Sequence, residues 1–496
     1  MAVSVDYFFV NKADPQPLQA QLREAIVRGI AEGALQAGDK LPSSRSLALW
    51  LGISRMTVSL AYEELCAKGL LEPRRRSGIY IAESGLQGLE ALPVPRPEQA
   101  GFSWARHLDF RHLASQRKDR VQDWHRYRWC FTYGQSDPGI VDRTAWREAT
   151  LQALSPPAFS RSIEDHYDGD DPDLIEYICT HVLPRRGIHA RPAQVLLTLG
   201  AQNALWLIAQ ILLGKGGHCV IEDPGYPGLK EILSQSPARI TPVRVDQDGL
   251  PPEALPQGID VVFTTASHQC PTGATMPIAR KKALLDQALA QNFVIVEDDY
   301  EVQMSFEGNH LPALKAMDQS GAVVYVGSFS KSVFPALRIG YIVAEEPFIR
   351  EARALRAMSL RHIPVQMQRS LTMFMSSGAY DAQLRRTRLH FDARRKTMQA
   401  AFARFGLTCA APKNSGGSSF WMRLPPGIKA SELAADLLQS GVVIEAGDAF
   451  FADGAEGQSF YRLAYSSVSQ EDIDEGIARI AAVIKAKAAD HQPPGR

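Results

Sequence analysis

The sequence lacks the features that mark several large classes of protein. Its six cysteines are scattered without a paired spacing, which argues against a disulfide framework or a zinc site and favours a reducing compartment. Its most apolar run, residues 204–213, is too short to cross a bilayer, and its N-terminus has no basic stretch followed by an apolar core. We therefore expect a cytoplasmic protein with no metal site, no signal peptide and no membrane partner.

An excess of charge of either sign is also missing, since 54 basic residues balance 54 acidic ones. Any surface for a polyanion such as nucleic acid must therefore be local. We find no internal repeat and no low-complexity tract. A length of 496 residues, with 45% hydrophobic and 22% charged residues, is ordinary for a globular protein and predicts more than one domain.

The first 82 residues show the pattern of a helix-turn-helix. Residues 17–33 predict a helix, from a proline in its first turn, an apolar stripe and a terminal glycine. Serines can cap two short helices, over residues 44–51 and 55–68, which are separated by Gly52. Two short helices joined by a glycine turn are typical of this motif. Residues 70–81 predict a two-stranded wing with a basic tip.

Basic residues concentrate in this segment although the whole chain is neutral. Residues 16–82 hold nine Lys or Arg and six Asp or Glu, a surplus of three positive charges. We predict that Arg55, Thr57 and Ser59 point outward on the second short helix and reach base edges, while arginines contact phosphates. A small three-helix interaction module is the alternative. The predicted DNA-binding residues are Ser43, Arg45, Ser54, Arg55, Thr57, Ser59, Arg74, Arg75, Arg76 and Gly78.

This segment closely resembles the winged helix of GntR-type regulators. The match runs through Leu41-Pro42-Ser43-Ser44-Arg45, Ser54-Arg55-Met56-Thr57-Val58 and Ala61-Tyr62-Glu63-Glu64-Leu65. The wing departs from the pattern by an extra arginine and by Ile79, which leaves the operator preference open. The resemblance implies a DNA-binding domain over residues 15–83, with a double-stranded DNA operator as its partner.

The composition changes after this segment. Residues 84–103 are proline-rich and have neither a helical nor a strand period, so we predict an extended linker. Residues 104–133 are aromatic and basic, and we interpret them as an arm that packs on a large domain. A nucleic-acid surface around residues 125–129 is the alternative.

A lysine that follows a predicted strand is the most informative feature of the rest of the chain. The apolar run 322–326 predicts a buried strand, which leads through a small polar turn to Lys331. Arg338 can fork onto a phosphate, and Ser328 and Ser330 can donate hydrogen bonds. The amine then suits a Schiff base with a phosphorylated aldehyde.

A second predicted strand, residues 293–297, ends in carboxylates. Strand alternation points Asp298 and Tyr300 the same way. A carboxylate there can keep the pyridine nitrogen of pyridoxal phosphate protonated, which makes the ring an electron sink, and Tyr300 can reach the phenolic oxygen. A solvated acidic turn is the alternative.

Three further motifs precede these strands. The first is a predicted strand followed by Gly200 and an apolar helix. The N-terminus of this helix can offer the N–H groups of Ala201 and Gln202 to a phosphate. Tyr226 lies on a turn where its ring can stack on a cofactor, and residues 267–273 form a turn between a strand and a helix. The alternation of strands and helices predicts a largely parallel sheet with ligands at the carboxyl ends of its strands.

These five motifs, in this order, resemble fold-type I aminotransferases from about residue 126 to about residue 484. The resemblance implies pyridoxal 5'-phosphate as the cofactor, Lys331 as the catalytic Schiff-base lysine, and Arg462 as the clamp for an effector's carboxylate. The implied cofactor-binding residues are Lys331, Asp298, Tyr300, Tyr226, Gly200, Ala201, Gln202, Ser328, Ser330, Arg338, His268 and Tyr167.

Two positions depart from the pattern of that family. An asparagine usually precedes the Pro-Thr-Gly turn, and Cys270 takes its place here, so whether Gln269 or His268 reaches the phenolic oxygen stays open. In relatives a tyrosine at the place of Tyr167 reaches the phosphate in the neighbouring subunit. The glycine-then-Leu-Arg pattern that usually accompanies this tyrosine is present only in reduced form here, in residues 170–175.

The order of winged helix, linker and aminotransferase-like body resembles the MocR subfamily of GntR regulators over nearly the full chain. The implied fold class is α/β, the fold type I of pyridoxal-phosphate-dependent transferases with an N-terminal winged helix-turn-helix. The implied body covers residues 104–490, with a large part over about 120–355 and a small part over about 356–490.

Three functions are compatible with this organisation. The first is a homodimeric transcriptional regulator that senses a small amino compound by Schiff-base exchange at Lys331, with Arg462 holding its carboxylate or sulfonate. The second is an active aminotransferase with an appended regulatory domain, and the third is a DNA-binding protein whose body is only a dimerisation scaffold. We favour the first, because Lys331, Asp298 and Arg338 are intact and an enzyme has little use for a winged helix. The sequence does not specify the effector, the operator, the sign of regulation or whether transamination turns over.

Overall fold

The computed structural model describes residues 2–74, 77–82, 107–108, 121, 123–301, 311–411 and 417–490. It divides into two compact units, Met1–Asp109 and Phe110–Arg496. The predicted linker, residues 84–103, lies outside the described residues, as do Arg75 and Arg76 of the predicted wing tip.

The N-terminal unit consists of three helices and a two-stranded wing, as the sequence predicts. Its elements are α1 (Leu18–Ala31), α2 (Ser44–Leu51), α3 (Arg55–Ala67), β1 (Leu71–Arg74) and β2 (Gly78–Ile81). Gly52 ends α2 with a φ of +61°, a backbone conformation that favours glycine. Apolar side chains from the helices and the wing share one buried core, which fixes α3 against α1 and α2.

The second unit is built on a seven-stranded sheet in the order β4-β10-β9-β8-β7-β5-β6. Its strands are β4 (Val195–Thr198), β5 (His218–Asp223), β6 (Arg239–Arg244), β7 (Val261–Thr264), β8 (Val294–Asp298), β9 (Val323–Ser328) and β10 (Gly340–Val343). Strand β10 is antiparallel to both of its neighbours, and the other pairings are parallel. The largely parallel sheet is confirmed, but the sequence interpretation missed β6 and β10. Alternating polar residues in β6 hide its apolar side, and β10 is only four residues long.

Helices pack on this sheet and continue into the C-terminal part. They are α4 (Arg143–Ala153), α5 (Pro156–Ser162), α6 (Pro172–Tyr177), α7 (Gly200–Leu213), α8 (Pro227–Leu233), α9 (Ile278–Gln291), α10 (Leu314–Met317), α11 (Glu346–Leu360), α12 (Val365–Ser376), α13 (Ala379–Phe405), α14 (Ala430–Gln439), α15 (Gly454–Gly457) and α16 (Gln470–Asp490). Strands β4, β7 and β9 are buried along their whole length. Such continuously apolar strands are typical of a sheet covered on both faces.

A second, antiparallel sheet forms the C-terminal part of this unit. Its order is β11 (Thr408–Cys409), β12 (Ser419–Arg423), β15 (Phe460–Ala464) and β14 (Glu445–Ala446).

The arm before the body reaches this C-terminal part. Strand β3 (Trp129–Cys130) pairs with β13 (Val442–Val443), and Phe131 lies in the core of the C-terminal part. The expectation that the arm packs on the large part is therefore wrong for these residues. A two-residue parallel pairing so distant along the chain leaves no signal in the local sequence.

Candidate functional site

The polar residues predicted for the cofactor gather at one cavity of about 320 Å³. They come from the carboxyl ends of neighbouring strands, because α7 begins after β4, Asp298 ends β8 and Ser328 ends β9. Of the predicted residues, those that line it are Ala201, Gln202, Tyr226, Asp298, Tyr300, Ser328, Ser330, Lys331, Arg338 and Arg462. The cavity thus joins strand ends of the large part to a strand of the C-terminal part.

Lys331 lies at the centre of the cavity with its amine against an aromatic ring. Its Nζ is 3.9 Å from the ring centre of Tyr133. Burial, with a smaller contribution from Arg462, lowers the pKa of Lys331 to about 8 despite the opposing charge of Glu301. Gly134 has a φ of +90°, and a Cβ there would lie 3.1 Å from Nζ. A lysine with a pKa near neutrality has a substantial uncharged fraction, which is the form that attacks a carbonyl.

The guanidinium group of Arg338 lies over the start of α7. Arg338 has a φ of +53°, and its Nη2 donates to the carbonyl of Leu199 at 3.2 Å. Gly200 also has a positive φ, of +76°, and a Cβ there would lie 2.9 Å from Nη2. Glycine at position 200 therefore leaves room for the guanidinium group in its present place beside the helix N-terminus. A helix N-terminus with an adjacent arginine is a binding site for phosphate.

Asp298 and its neighbour Asp299 face opposite sides of the strand end. Asp299 accepts hydrogen bonds from Arg186 at 2.8 Å and Tyr325 at 2.8 Å inside the protein. Asp298 faces the cavity, and burial, together with Asp299 and Glu222, raises its pKa to about 7. A cationic ring nitrogen in the cavity would supply the positive charge that this carboxylate lacks.

Neither of the two residues proposed to replace the usual asparagine lines the cavity. The Nε2 of Gln269 donates to the carbonyls of Pro224 at 2.8 Å and Cys270 at 2.7 Å and to Glu222 at 3.1 Å, so its amide is fully engaged. His268 lies 3.7 Å from Glu301 and is not among the residues that line the cavity. The predicted cofactor contact of His268 therefore has no support from its position. Cys270 lines the cavity, and burial raises the pKa of its thiol to about 12, so it stays neutral.

Arg462, on β15 of the C-terminal part, lines the cavity and is held from several sides. Its Nε donates to Glu445 at 2.9 Å, and its guanidinium carbon lies 4.1 Å from the ring centre of Tyr133 and 4.6 Å from that of Phe450. The Nη1 edge has a long contact of 3.9 Å with the Cys270 sulfur. One edge of the fork is thus fixed, and the other is left for an acid group. The sequence interpretation missed Glu445 and Tyr133. The position of Glu445 opposite Arg462 depends on the register of β14 against β15, which the local sequence does not specify.

The predicted DNA-binding residues in the described part of the chain are helix caps, exposed arginines, half-buried hydroxyl residues and a glycine of the wing. Ser43 accepts a hydrogen bond from the N–H of Ser46 at 3.1 Å, and Ser54 accepts one from Met56 at 3.2 Å, so both are helix caps. Arg45, Arg55 and Arg74 are exposed, and Thr57 and Ser59 are half-buried. Gly78 begins β2 with a φ of +125°.

The organisation in two units matches two family models. Residues 18–81 match the model for bacterial regulatory proteins of the gntR family, and residues 138–480 match aminotransferase class I and II. The chain is 48% identical to the HTH-type transcriptional regulator TauR of Rhodobacter capsulatus, over 98% of this chain and all of that protein. It is 33% identical to the probable rhizopine catabolism regulatory protein MocR of Rhizobium meliloti, over 77% of each chain.

The chain belongs to the MocR subfamily of GntR-type regulators. The body of this MocR-type chain also resembles a solved enzyme. Its fold matches the α-aminoadipate aminotransferase LysN of Thermus thermophilus with a TM-score of 0.71 and 25% identity, over 78% of this chain and all of that one. The chain therefore combines the fold of an aminotransferase with the architecture of a transcriptional regulator.

The cavity of this MocR-type body fits the cofactor that its fold implies. Three polar atoms that line it are buried without a hydrogen-bond partner among the described residues, namely Asp298 Oδ1, Ser330 Oγ and Tyr133 Oη. Buried polar atoms are rarely left unpaired, so such atoms indicate a missing partner. Together with the phosphate cradle formed by Gly200 and Arg338, they fit a planar, phosphorylated pyridine.

Tyr167 does not reach the cavity of its own chain. It has a φ of +56° and is 75% exposed, with its N–H donating to Asp165 at 2.9 Å. Its expected contact is with a neighbouring subunit, and that contact stays a prediction.

Within the described residues, no helix is long and apolar enough to span a membrane. The same part of the chain holds no cluster of three or more His, Cys, Asp or Glu side chains that could bind a metal ion.

Proposed function

We propose that this protein is a pyridoxal-phosphate-dependent transcriptional regulator whose DNA binding is controlled by a small amino compound bound in the cavity at Lys331. The proposal rests on the presence, in one chain with a winged helix, of Asp298, Ser328 and Arg338 in the same cavity as Lys331, whose pKa is about 8. A body that served only as a scaffold would not need to keep Lys331, Asp298 and Arg338 together.

Each group has a defined role toward the cofactor. The N-terminus of α7, Ser328 and Arg338 hold the phosphate, and Asp298 stabilises a protonated ring nitrogen. When bound, the cofactor supplies an aldehyde that condenses reversibly with a primary amine, that of Lys331 or that of an effector. The LysN structure, solved in complex with N-(5'-phosphopyridoxyl)-L-leucine, supports such a ligand in a body of this fold.

The effector carries an acid group beside its amine. Arg462 presents its Nη edge, whose contact with the Cys270 sulfur is 3.9 Å long, to the same cavity as Lys331, and both cations contact the ring of Tyr133. A bidentate pair with a carboxylate or sulfonate is the interaction that this geometry favours. A ligand of this kind acts only through different affinities for two states of the protein, here states with different DNA affinity.

The regulator acts as a homodimer that places two winged helices on one operator. The exposed position of Tyr167, away from its own cavity, is suited to completing the cavity of a second subunit. A symmetric pair of heads reads two half-sites, arranged as direct or inverted repeats.

An absorbance titration tests the sensing role. We expect the purified, cofactor-loaded protein to show a near-visible band that shifts with one amine from a panel of amino acids and aminosulfonates, without release of a keto acid. Sustained production of a keto acid would instead favour the second function, an active aminotransferase, for which the intact Lys331 and Asp298 are the supporting observation. The absence of any band would contradict the cofactor assignment.

A further inference from the structure

The exposed face of α3 is centred on apolar side chains and not on the polar residues predicted to read DNA. The buried side of the helix consists of Val58, Ala61, Tyr62 and Leu65. At 100° per residue, the direction opposite to this side falls nearest to Met56, with Leu60 and Glu63 each about 30° away on either side. Met56 is 65% exposed and Leu60 is 42% exposed.

The predicted trio of Arg55, Thr57 and Ser59 does not lie on one face of α3. Residues two apart on a helix point about 200° apart, so Thr57 faces away from the side shared by Arg55 and Ser59. Spacing by two is the period of a strand, and this is why the sequence interpretation passed over Met56.

Charged groups restrict which part of α3 can approach a polyanion. Arg55 and Arg45 are exposed at the start of α3 and on α2, and the Nε of Arg55 lies 3.4 Å from the Ser44 hydroxyl. Farther along α3, Glu63 is exposed, whereas Glu64 pairs with Arg23 at 2.7 Å and with Lys68 at 2.9 Å. The first turn is therefore flanked by positive charge and the exposed acidic group of α3, Glu63, lies beyond it, so DNA phosphates favour approach at the first turn.

Met56 is the exposed apolar side chain of that first turn and is available for an apolar contact. In the major groove of DNA the apolar group on a base edge is the C5-methyl group of thymine. Methionine suits such a contact, because its flexible thioether chain adapts to the position of a methyl group. We infer that Met56 contacts a thymine methyl group in the operator and thereby specifies a T·A pair at that position. This inference rests on the proposed binding of DNA by the N-terminal unit.

Removal of single methyl groups from the DNA tests the inference. A binding duplex is first selected from a random library with the full-length protein, and each thymine is then replaced singly by deoxyuridine, which lacks only the methyl group. We expect one thymine in a half-site at which the replacement weakens wild-type binding about fourfold, the effect of exposing one methyl group. The same replacement should leave binding by Met56→Ala unchanged.

Two controls make the outcome decisive. Leu49→Ala removes a side chain that is 84% exposed on α2 and should retain the wild-type response to deoxyuridine. Equal responses of wild type and Met56→Ala, no response at any thymine, or a response abolished only by Leu60→Ala would each overturn the assignment of Met56 while leaving DNA binding intact. Failure to select any duplex would remove the proposed function together with this inference.

Discussion

The two functional surfaces of this chain are constructed in opposite ways. The DNA-facing surface comes from neighbouring elements, α2, α3 and the wing, and its side chains are largely exposed. The cavity joins Tyr133, Asp298, Lys331 and Arg462, which are distant in sequence, and its polar groups are enclosed and electrostatically coupled. Substitutions on the first surface should therefore change binding alone, whereas substitutions in the cavity should change ligand binding and stability together.

The largest expected effect is that of Lys331→Ala. We expect the near-visible band of the bound cofactor and the response to an effector to disappear, while DNA binding stays measurable, because the two surfaces lie in separate units. Absorbance spectroscopy and a DNA-binding titration on the same preparation measure this. Lys281→Met is the matched control, since Lys281 is a buried lysine outside the cavity that donates to the carbonyl of Pro312. Loss of the band in both variants would contradict the assignment of Lys331.

The second prediction concerns the pH dependence of the cofactor-free protein. Because burial raises the pKa of Asp298 to about 7, above the unfolded value of about 3.9, this group favours folding most at low pH. Its contribution is lost as the pH rises toward 7. Between pH 5 and pH 8 the loss amounts to about 2–3 kcal/mol.

Denaturant unfolding of the wild type and of Asp298→Asn measures this loss. The variant should lose less of its free energy of unfolding than the wild type over the same pH interval, and it should bind the cofactor more weakly at both pH values. If the free energy of unfolding of the two proteins fell equally with pH, Asp298 would not be the buried carboxylate that causes the loss.

A smaller effect is expected when the phosphate cradle is narrowed. Gly200→Ala introduces a Cβ 2.9 Å from the Arg338 guanidinium at a φ of +76° and should cost about 1–3 kcal/mol of unfolding free energy, as well as cofactor affinity. Gly249→Ala is the control, because Gly249 has a similar φ of +87° with no atom within 4 Å of a Cβ. It should show the backbone strain without any loss of cofactor. A loss of cofactor affinity in both variants would show that the loss does not come from the contact of the new Cβ with Arg338.

The smallest effect on the folded state is expected on the DNA-facing surface. Arg55→Ala should weaken operator binding on the order of tenfold and reduce its salt dependence, with no change in cofactor content or in unfolding free energy. Fluorescence anisotropy at several salt concentrations provides the measurement. A destabilised protein would indicate that Arg55 supports α2 through Ser44 and does not act on DNA.

The success of prediction from the sequence also differs between the DNA-facing surface and the cavity. The winged helix was predicted nearly to the residue, because caps such as Ser43 and Ser54 and the glycine at the turn act over three or four positions. The residues at the strand ends, such as Asp298 and Lys331, were predicted from alternation and from the rule that parallel strands present their carboxyl ends at one edge.

Contacts that depend on long-range register were missed. Glu445 lies opposite Arg462 in the pairing of β14 with β15, and Tyr133 reaches the cavity because β3 pairs with β13. Neither pairing has a local signal. Within α3, the spacing of Arg55, Thr57 and Ser59 by two residues is the period of a strand, and the exposed Met56 lies between the first two of them.

The most direct test of the account couples the two surfaces in one measurement. Operator affinity of the cofactor-loaded protein is measured with and without the amine that shifts its absorbance, in the wild type and in Lys331→Ala. We expect the amine to change the operator affinity of the wild type by at least about fivefold, in either direction, and to leave that of the variant unchanged. An equal change in both proteins, or no change in the wild type, would contradict the claim that an amine bound at Lys331 controls DNA binding.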